Sequence, residues 1–201
     1  MQNFQAIGLA RREARPEREA AIMGWQNLGE EPVFHTPWLK LNLAKVELPG
    51  GRRLDHYVLR TPPLTLVAML DDQDRVLMLW RHRFIPDSYG WELPSGIADP
   101  GEGLAAAAAR QALNECGWEP TDLLPLLRLE PSGGLSDSVH HVYWTDRAVH
   151  RGDPPAAFEA ERIDWVPLDR VPELVASGAI RAAGTMAALL WLLRRRPVRT
   201  E

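Results

Sequence analysis

The order of segments along the chain predicts an α/β protein in which helices pack against a mixed sheet. Apolar runs of strand length fill the first half, an alanine-rich helical segment (Leu104–Cys116) follows, and further strand patterns precede two helical segments at the end. Elements that carry an apolar face must bury it against another layer of structure. We therefore expect a sheet with the helices packed against it.

The first 60 residues are predicted to form an N-terminal extension with a helix and a β-hairpin, followed by a main domain over residues 61–201. Residues 1–24 are polar and charged, and we expect part of them to be helical. Pro37–Arg60 is predicted to be the hairpin, because leucine alternates with polar residues in its first arm and a Pro-Gly-Gly sequence supplies the turn.

The main domain is predicted to contain a second hairpin, a central helix, more strands and two final helices. Thr65–Trp80 holds two almost wholly apolar runs, as expected for strands that are buried on both faces. Leu104–Cys116 is alanine-rich, and Gly117 is placed to end a helix in a left-handed conformation. The other predicted strands are Leu123–Pro131, Val139–Val149 and Arg162–Leu168, and the final helices are Asp169–Ser177 and Ala182–Arg195.

Composition argues against several classes of function. The 201 residues carry a net charge of −4 at pH 7, which does not favour nucleic-acid binding. No apolar run reaches the roughly 18 residues that a membrane span needs, and the N-terminus does not have the pattern of a signal peptide. A single cysteine, Cys116, excludes an internal disulfide. We therefore expect a cytoplasmic protein that binds neither nucleic acid nor membranes.

The segment Gly96–Trp118, GIADPGEGLAAAAARQALNECGW, joins a glycine loop to a helix with acidic and amide side chains. Cleavage of a pyrophosphate calls for a hard divalent cation, usually Mg²⁺, because the substrate is multiply anionic and the attacking water must be activated. Carboxylates three or four positions apart share one face of a helix and can hold such an ion. A glycine loop before the helix lets backbone groups approach the phosphates.

This segment resembles the signature of the Nudix hydrolase family, G-x5-E-x7-R-E-U-x-E-E-x-G-U, in which U is apolar. Two positions differ, because Gln111 stands where the first helix glutamate belongs and Asn114 stands where the second belongs. The positions that match are Gly96, Glu102, Arg110, Ala112, Glu115, Gly117 and Trp118.

Segments outside the signature resemble the ADP-ribose pyrophosphatase branch of this family. The likeness extends from about residue 30 to residue 193 and includes Thr36–Trp38, Trp80–Phe84, Trp91–Gly96 and Pro131–Asp137. It implies a Nudix fold, an α/β/α sandwich with a mixed sheet, preceded by an N-terminal β-hairpin extension that helps to form a homodimer. It also implies hydrolysis of the pyrophosphate bond of a nucleotide sugar such as ADP-ribose.

The resemblance implies a site for Mg²⁺ or Mn²⁺ on the helix and the loop before it. The branch holds metal with the first and last helix glutamates and a backbone carbonyl, and the matching positions here are Gln111, Glu115 and Ser95. Glu102 could reach the same cluster, or it could favour the helix N-terminus through the helix dipole. Each carboxylate that an amide replaces removes a charge worth on the order of 1–4 kcal/mol, so we expect weakened metal binding.

The resemblance also implies candidates for the catalytic groups. The general base of the branch lies on a later loop, where Glu159 and Glu161 match, and Asp137 is a third candidate. Arg110 is a further candidate, for which pairing with a nearby acid is the alternative.

Candidates for substrate binding are Arg83, Trp38 and Gly96. Arg83 matches a substrate-contacting arginine of the branch, and an exposed surface arginine is the alternative. Trp38 could stack on a nucleobase of a partner subunit, or it could belong to a dimer interface or a core. Gly96 is expected to be a turn residue whichever function holds.

Two functions remain open from the sequence. The first is a Mg²⁺-dependent pyrophosphatase for a nucleoside-diphosphate sugar, with ADP-ribose as the first substrate to test. The second is a nucleotide-sugar-binding or regulatory module that has lost efficient hydrolysis. Gln111 and Asn114 favour the second function, whereas Glu115, Glu159 and Glu161 favour the first.

Overall fold

The computed structural model describes residues 24–195 and divides them into two compact units. The first unit comprises residues 24–36 and 40–58, and the second comprises residues 37–39 and 59–195. Part of residues 1–24 was predicted to be helical. All of these residues except Gly24 lie outside the described residues. None of the helices within residues 24–195 has the length and apolar character of a membrane span.

The first unit is built on a three-stranded sheet. Its strands are β1 (Gln26–His35), β2 (Lys40–Glu47) and β3 (Arg53–Arg60), in that order across the sheet. The predicted hairpin is confirmed as β2 and β3, and Gly50 and Gly51 in its turn have φ angles of 91° and 82°. The sequence pattern did not predict β1, because nearly all of its side chains are exposed. Such a strand lacks the alternation that marks a half-buried one.

The second unit contains two larger sheets and one two-stranded pair. Its strands are β4 (Leu64–Met69), β5 (Arg75–Arg83), β6 (Ser88–Glu92), β7 (Ser95–Ile97), β8 (Trp118–Pro120), β9 (Leu124–Leu129), β10 (His140–Thr145), β11 (Ala148–His150) and β12 (Arg162–Pro167). One sheet has the order β7-β4-β10-β9, the other has the order β12-β5-β6, and β8 pairs with β11. Because β10 runs parallel to β4 and antiparallel to β9, the predicted mixed sheet is confirmed.

The prediction that Thr65–Trp80 forms a hairpin is wrong, because β4 and β5 belong to different sheets. An isolated bridge between Leu70 and Val76 joins the two strands. β4 is paired on both edges, by β7 and β10, and β5 is paired on both edges, by β12 and β6. Neither strand therefore has a free edge along which the other could pair. The predicted strand Val139–Val149 is likewise divided into β10 and β11. The backbone N–H of Arg147 donates to Thr145 Oγ1 at 3.0 Å and closes a turn between them.

The α-helices within residues 24–195 follow the predicted pattern. They are α1 (Leu104–Cys116), α2 (Val171–Ala176) and α3 (Ala183–Arg195). The bounds of α1 are those predicted, and the helix ends at Gly117 with φ 71°. A Cβ atom at Gly117 would lie 2.0 Å from the carbonyl oxygen of Gly152, so a side chain is excluded by contact as well as by conformation.

Neighbouring side chains of β4 lie in different hydrophobic clusters and so define the layers. Val67 lies in a buried cluster with Ala108 and Ala112 of α1. Leu66 lies in the other cluster, with Leu189 of α3. Helices therefore cover both faces of the sheet, and the predicted α/β/α sandwich is confirmed.

Candidate active site

Strands β5 and β6 bring charged side chains to the sheet face that α1 covers. In the ladder between these strands, Leu79 is opposite Glu92. Because side chains alternate along a strand, Arg81 and Arg83 lie on the same face as Leu79. Leu79 packs in the cluster that contains residues of α1. The last turn of α1 carries Glu115 toward the same region.

A buried ion pair between Arg81 and Glu115 is the centre of this region. Arg81 Nη1 donates to Glu115 Oε1 at 3.1 Å, and Arg81 Nη2 donates to Glu115 Oε2 at 3.0 Å. The backbone N–H of Ser95 donates to Glu115 Oε2 at 2.9 Å. The exposed fractions of the two side chains are 3% and 5%. The guanidinium therefore holds both carboxylate oxygens in a bidentate pair.

Two more carboxylates lie around the same guanidinium, and together these side chains are called the Arg81 cluster. Glu159 Oε2 is 3.7 Å from Arg81 Nη1, and Glu92 Oε2 is 3.9 Å from Arg81 Nε. The Nε–H group of Arg81 is buried and has no hydrogen-bond acceptor in the described part of the chain. Arg83 donates through Nε to both oxygens of Glu92, at 3.0 and 3.1 Å. The Arg81 cluster therefore contains Arg81, Arg83, Glu92, Glu115 and Glu159, with two cations and three anions.

Burial and charge act in opposite directions on the Glu115 carboxyl. Desolvation raises the pKa of Glu115 above its ordinary value, while the hydrogen bonds and the charge of Arg81 oppose this increase. The charge of Glu159 raises the pKa of Glu115 further. At Arg83, the hydrogen bond to Glu92 raises the pKa of the guanidinium. Glu115 therefore depends on Arg81 to remain ionised in a buried position.

Glu102 and Arg110 form a second ion pair at the loop before α1. Arg110 donates to Glu102 through Nε at 2.8 Å and through Nη2 at 2.6 Å. The backbone N–H of Asp99 also donates to Glu102, at 3.0 Å, and Arg110 Nη2 reaches the carbonyl oxygen of Ile97 at 3.3 Å. Hydrogen bonds from Arg110 lower the pKa of Glu102 to about 2. In this structure both residues bind each other and the loop backbone.

The prediction that Gly96 is a turn residue is wrong, because Gly96 lies in strand β7 opposite Thr65. Gln111 packs directly over it. A Cβ atom at Gly96 would lie 2.2 Å from Gln111 Cδ, so the side chain of Gln111 occupies the space that any larger residue would need. Gln111 Nε2 donates to the carbonyl oxygen of Ile97 at 3.4 Å, which is a long contact. The side-chain NH₂ group of Gln111 thus points toward the loop.

These contacts do not fit the Mg²⁺ or Mn²⁺ site that the resemblance implies. Such a cation needs acceptor oxygens, whereas both oxygens of Glu115 already accept from Arg81. The buried side-chain atom of the Arg81 cluster that has no hydrogen-bond partner in the described part of the chain, Arg81 Nε, is itself a donor. Across residues 24–195, no group of three or more His, Cys, Asp or Glu side chains is arranged to hold a metal ion.

The remaining residues that the sequence suggested for catalysis or substrate binding lie outside the Arg81 cluster. The hydroxyl of Tyr89 bonds to Glu161, which raises the pKa of Tyr89. Asp137 accepts from Arg60 Nη1 at 3.2 Å and from the backbone N–H of Thr61 at 3.1 Å. Trp38 is 66% exposed. Among the three candidates for the general base, Glu159 is the one that the structure brings to the Arg81 cluster.

Sequence reasoning missed Arg81 and Glu92 as members of the site. Both stand in segments that carry the family resemblance, Trp80–Phe84 and Trp91–Gly96. Along β5, Arg81 follows Leu79 at the strand period of two, so a charged residue occupies an inward position. That alternation was the available indication of a functional or paired arginine.

A pocket of about 280 Å³ adjoins the Arg81 cluster and shares Arg83 and Glu92 with it. Arg181 supplies a second guanidinium, whose Nη1 donates to the backbone carbonyl of Tyr89 at 3.2 Å. The side chain of Tyr89 is also part of the wall and is 44% exposed. Trp91 lines the pocket as well, but it is 6% exposed. The pocket therefore combines two cationic groups with one accessible aromatic ring, and we name it the Arg83–Arg181 pocket.

Two family models match the chain, and they meet between residues 59 and 60. The NUDIX domain matches residues 60–189, and the nucleoside diphosphate sugar hydrolase N-terminal domain matches residues 25–59. Among solved structures, the chain resembles one described as an ADP compounds hydrolase, with a TM-score of 0.75 and 19% identity. That match covers 86% of this chain and 94% of the other.

Curated relatives extend over most of the chain. A CMP-5'-(N-acetyl-N-hydroxy-3-aminopropyl)phosphonate hydrolase of Streptomyces rubellomurinus is 40% identical, over 85% of this chain and 83% of the relative. A methanol dehydrogenase activator of Bacillus methanolicus is 24% identical, over 81% and 89%. An ADP-ribose pyrophosphatase of Bacillus subtilis is 23% identical, over 83% and 91%. With a NUDIX match over residues 60–189, the chain belongs to the Nudix hydrolase family, in the branch that resembles ADP-ribose pyrophosphatases.

Proposed function

We propose that this protein hydrolyses a P–O–P anhydride that joins a nucleoside 5′-monophosphate to a small polar group through its phosphate or phosphonate. Nucleoside-diphosphate sugars such as ADP-ribose are one class of such compounds, and CMP-linked phosphonates are another. The observation that carries the proposal is the Arg83–Arg181 pocket, which shares Arg83 and Glu92 with the Arg81 cluster.

The chemistry of the Arg83–Arg181 pocket suits one part of such a substrate. Guanidinium groups recognise phosphate and phosphonate oxygens through paired N–H donors. The volume of about 280 Å³ is just below the range of ligand pockets, which span about 300–1,000 Å³. A phosphate with the small polar group attached to it fits such a volume better than a whole nucleotide sugar does. We place the anhydride near Arg83, where the pocket meets the Arg81 cluster.

Glu159 is the group we assign to water activation. Its side chain is 42% exposed and contacts Arg81 at 3.7 Å, so it lies at the accessible edge of the cluster. In the proposed step a water oxygen attacks one phosphorus, the bridging P–O bond breaks, and Glu159 takes the proton of the water. Arg83 stabilises the negative charge that develops on the phosphoryl oxygens. The products are a nucleoside monophosphate and the phosphorylated or phosphonylated group.

The relatives support this class of substrate in two ways. The relative at 40% identity is named for hydrolysis of a CMP-linked phosphonate, and a relative at 23% identity is named for ADP-ribose. Both names describe a nucleoside monophosphate joined through a phosphorus anhydride. The homodimer that the resemblance implies is part of the proposal, with Phe34–Arg60 at its interface.

A second candidate function is binding without efficient turnover. It is favoured by the amides Gln111 and Asn114 and by the occupation of Glu115 by Arg81. A regulatory module of this kind would keep the Arg83–Arg181 pocket and bind the nucleotide derivative without releasing products.

A substrate panel separates the two functions. ADP-ribose, other nucleoside-diphosphate sugars and a CMP-linked phosphonate would be incubated with the protein, with and without Mg²⁺ or Mn²⁺. Products would be identified by mass spectrometry in ¹⁸O-water. We expect a nucleoside monophosphate and one ¹⁸O atom in one of the two products. Binding measured by calorimetry without any product would favour the regulatory module.

Two matched variants test the role of Glu159. Glu159→Gln is expected to lower kcat by roughly 100-fold or more, the range typical of a lost general base. Glu161→Gln removes an equal charge two residues away, at a side chain bonded to Tyr89, and should leave kcat within about twofold of wild type. Equal losses in the two variants would refute the assignment.

A further inference from the structure

We propose that Arg81 is the permanent counter-ion of Glu115, so that a guanidinium takes the place of a divalent cation on the last glutamate of the Nudix helix. This inference does not rest on the proposed function, because it concerns what Glu115 binds and not which substrate is cleaved. It predicts that any metal dependence of this protein does not involve Glu115.

Most acceptor positions of the Glu115 carboxylate are already in use. An ionised carboxylate offers about four lone-pair positions, and three of them are taken by Arg81 Nη1, Arg81 Nη2 and the N–H of Ser95. A metal ion that bound both oxygens of Glu115 would have to displace a bidentate guanidinium whose side chain is 3% exposed. The displaced cation would then remain buried without its partner, which is strongly unfavourable.

Arg81 lies among three carboxylates. Glu92 and Glu159 lie 3.9 and 3.7 Å from the guanidinium that binds Glu115. A cation bound by several carboxylates is what a metal centre in this region would look like, and here the cation is a side chain. Among residues 24–195, the buried side-chain atom of the cluster without a hydrogen-bond partner is the N–H donor Arg81 Nε, which calls for an acceptor and not for a metal ion.

The signature part of α1 carries less negative charge than the family signature would give it. Gln111 and Asn114 are neutral, so Glu115 is the one carboxylate among the three acidic positions of the helix signature. On the helix itself one carboxylate remains for one guanidinium to pair with, whereas three helix carboxylates would call for a divalent ion. Gln111 also uses its amide as a donor to Ile97, a contact that a carboxylate could not make. The two amides thus leave Glu115 as the single helix carboxylate with which Arg81 pairs.

Manganese binding provides the test. The affinity of Mn²⁺ would be measured by electron paramagnetic resonance for wild type, Arg81→Gln and the double variant Arg81→Gln with Glu115→Gln. Arg81→Gln should bind Mn²⁺ at least about tenfold more tightly than wild type, because it frees Glu115 near Glu159 and the bound ion then replaces the guanidinium as the charge that keeps Glu115 ionised. The double variant should lose that gain. Arg147→Gln, which removes an equal charge from an exposed pair with Asp122, should keep the wild-type affinity.

Nuclear magnetic resonance of the wild type keeps the proposal testable if Arg81→Gln does not fold. The Nε–Hε resonance of Arg81 should be unchanged by millimolar Mg²⁺ if the guanidinium stays on Glu115. The proposal is overturned if Mg²⁺ shifts that resonance as it binds. It is also overturned if a folded Arg81→Gln variant has the Mn²⁺ affinity of wild type.

Discussion

At the residue scale, the pair Arg81–Glu115 stabilises the fold only while both members are present. Removing one member of a buried ion pair typically costs about 3–5 kcal/mol, because the other charge stays buried without a partner. We predict that Glu115→Gln lowers the free energy of unfolding by about 3 kcal/mol, measured by urea denaturation. Glu173→Gln breaks an exposed pair with Arg170, and it should change the same quantity by less than about 1 kcal/mol.

A double substitution distinguishes the cost of an unpaired buried charge from the cost of altered packing. Arg81→Met with Glu115→Leu replaces the ion pair by apolar side chains, a change that is often neutral in buried positions. This double variant should therefore be more stable than Glu115→Gln alone. A double variant that is less stable than Glu115→Gln would show that packing and the Ser95 hydrogen bond dominate at this site.

Glu102 gives the fold a contact that depends on pH. Its pKa falls from 4.5 to about 2 in the folded protein because Arg110 donates to it. An acid with a lowered pKa stabilises the fold above its unfolded pKa, and this contribution is lost as the pH falls through the folded value. We predict that stability decreases between about pH 4.5 and pH 2, and that Glu102→Gln decreases less steeply there.

Urea denaturation at a series of pH values would measure this dependence. Glu130→Gln removes a carboxylate from an exposed pair with Arg128 and serves as the control. It should retain the steep decrease of the wild type. Identical slopes for wild type and Glu102→Gln would mean that the pair with Arg110 makes no net contribution to stability.

At the element scale, local patterns predicted those features that depend on local sequence. The helix Leu104–Cys116 was predicted with its observed bounds, since alanine-rich composition and Gly117 both act within the helix itself. Strand partners were not predictable in the same way, because β4 pairs with β10 and with β7 but not with the strand that follows it. Pairing between distant segments depends on the whole sheet.

The site shows the same division between local and distant information. The signature identified Glu102 and Arg110, which are eight residues apart and pair with each other. It could not identify the partner of Glu115, because Arg81 lies 34 positions away on β5. Only the strand register places that arginine under the last turn of α1. The resemblance therefore gave the positions of the site, and the structure gave their contacts.

Restoring both missing glutamates of the helix signature tests whether α1 can hold a metal ion. We predict that Gln111→Glu with Asn114→Glu raises metal-dependent hydrolysis of ADP-ribose by less than tenfold while Arg81 still holds Glu115. In an Arg81→Gln background the same two changes should raise it by at least about tenfold, which requires only about 1.4 kcal/mol of transition-state stabilisation. Initial rates in the two backgrounds, with Mg²⁺ titrated in each, would measure the difference.

Equal gains in the two backgrounds would contradict this prediction. Such a result would mean that a metal ion can bind the restored carboxylates without Glu115. A gain in Mg²⁺ affinity without a gain in rate would instead favour the binding module over the hydrolase. The contact between Gln111 and Ile97 adds a structural cost, since a carboxylate would face a carbonyl oxygen there.

At the scale of the whole molecule, apolar side chains are exposed along residues 25–57 of the N-terminal region. The side chains that are between 48% and 66% exposed are Trp25, Leu28, Val33, Phe34, Trp38 and Tyr57. Exposed apolar groups of this size are typical of interaction surfaces when they are grouped together. A second copy of the chain is the occupant that we propose for this region, as the resemblance implies.

We predict that the wild type sediments as a dimer at micromolar concentration and that Phe34→Glu shifts it toward monomer. A charge placed in an apolar interface has no partner, so the dimer affinity should fall by at least about tenfold. Phe84→Glu places the same charge on a side chain that is 82% exposed but lies outside residues 25–57, and it should leave the dimer unchanged. If wild type sediments as a monomer, the exposed side chains must serve a different partner, and the interface at Phe34–Arg60 is wrong. If Phe84→Glu alone dissociates the dimer, the interface lies in the second unit instead.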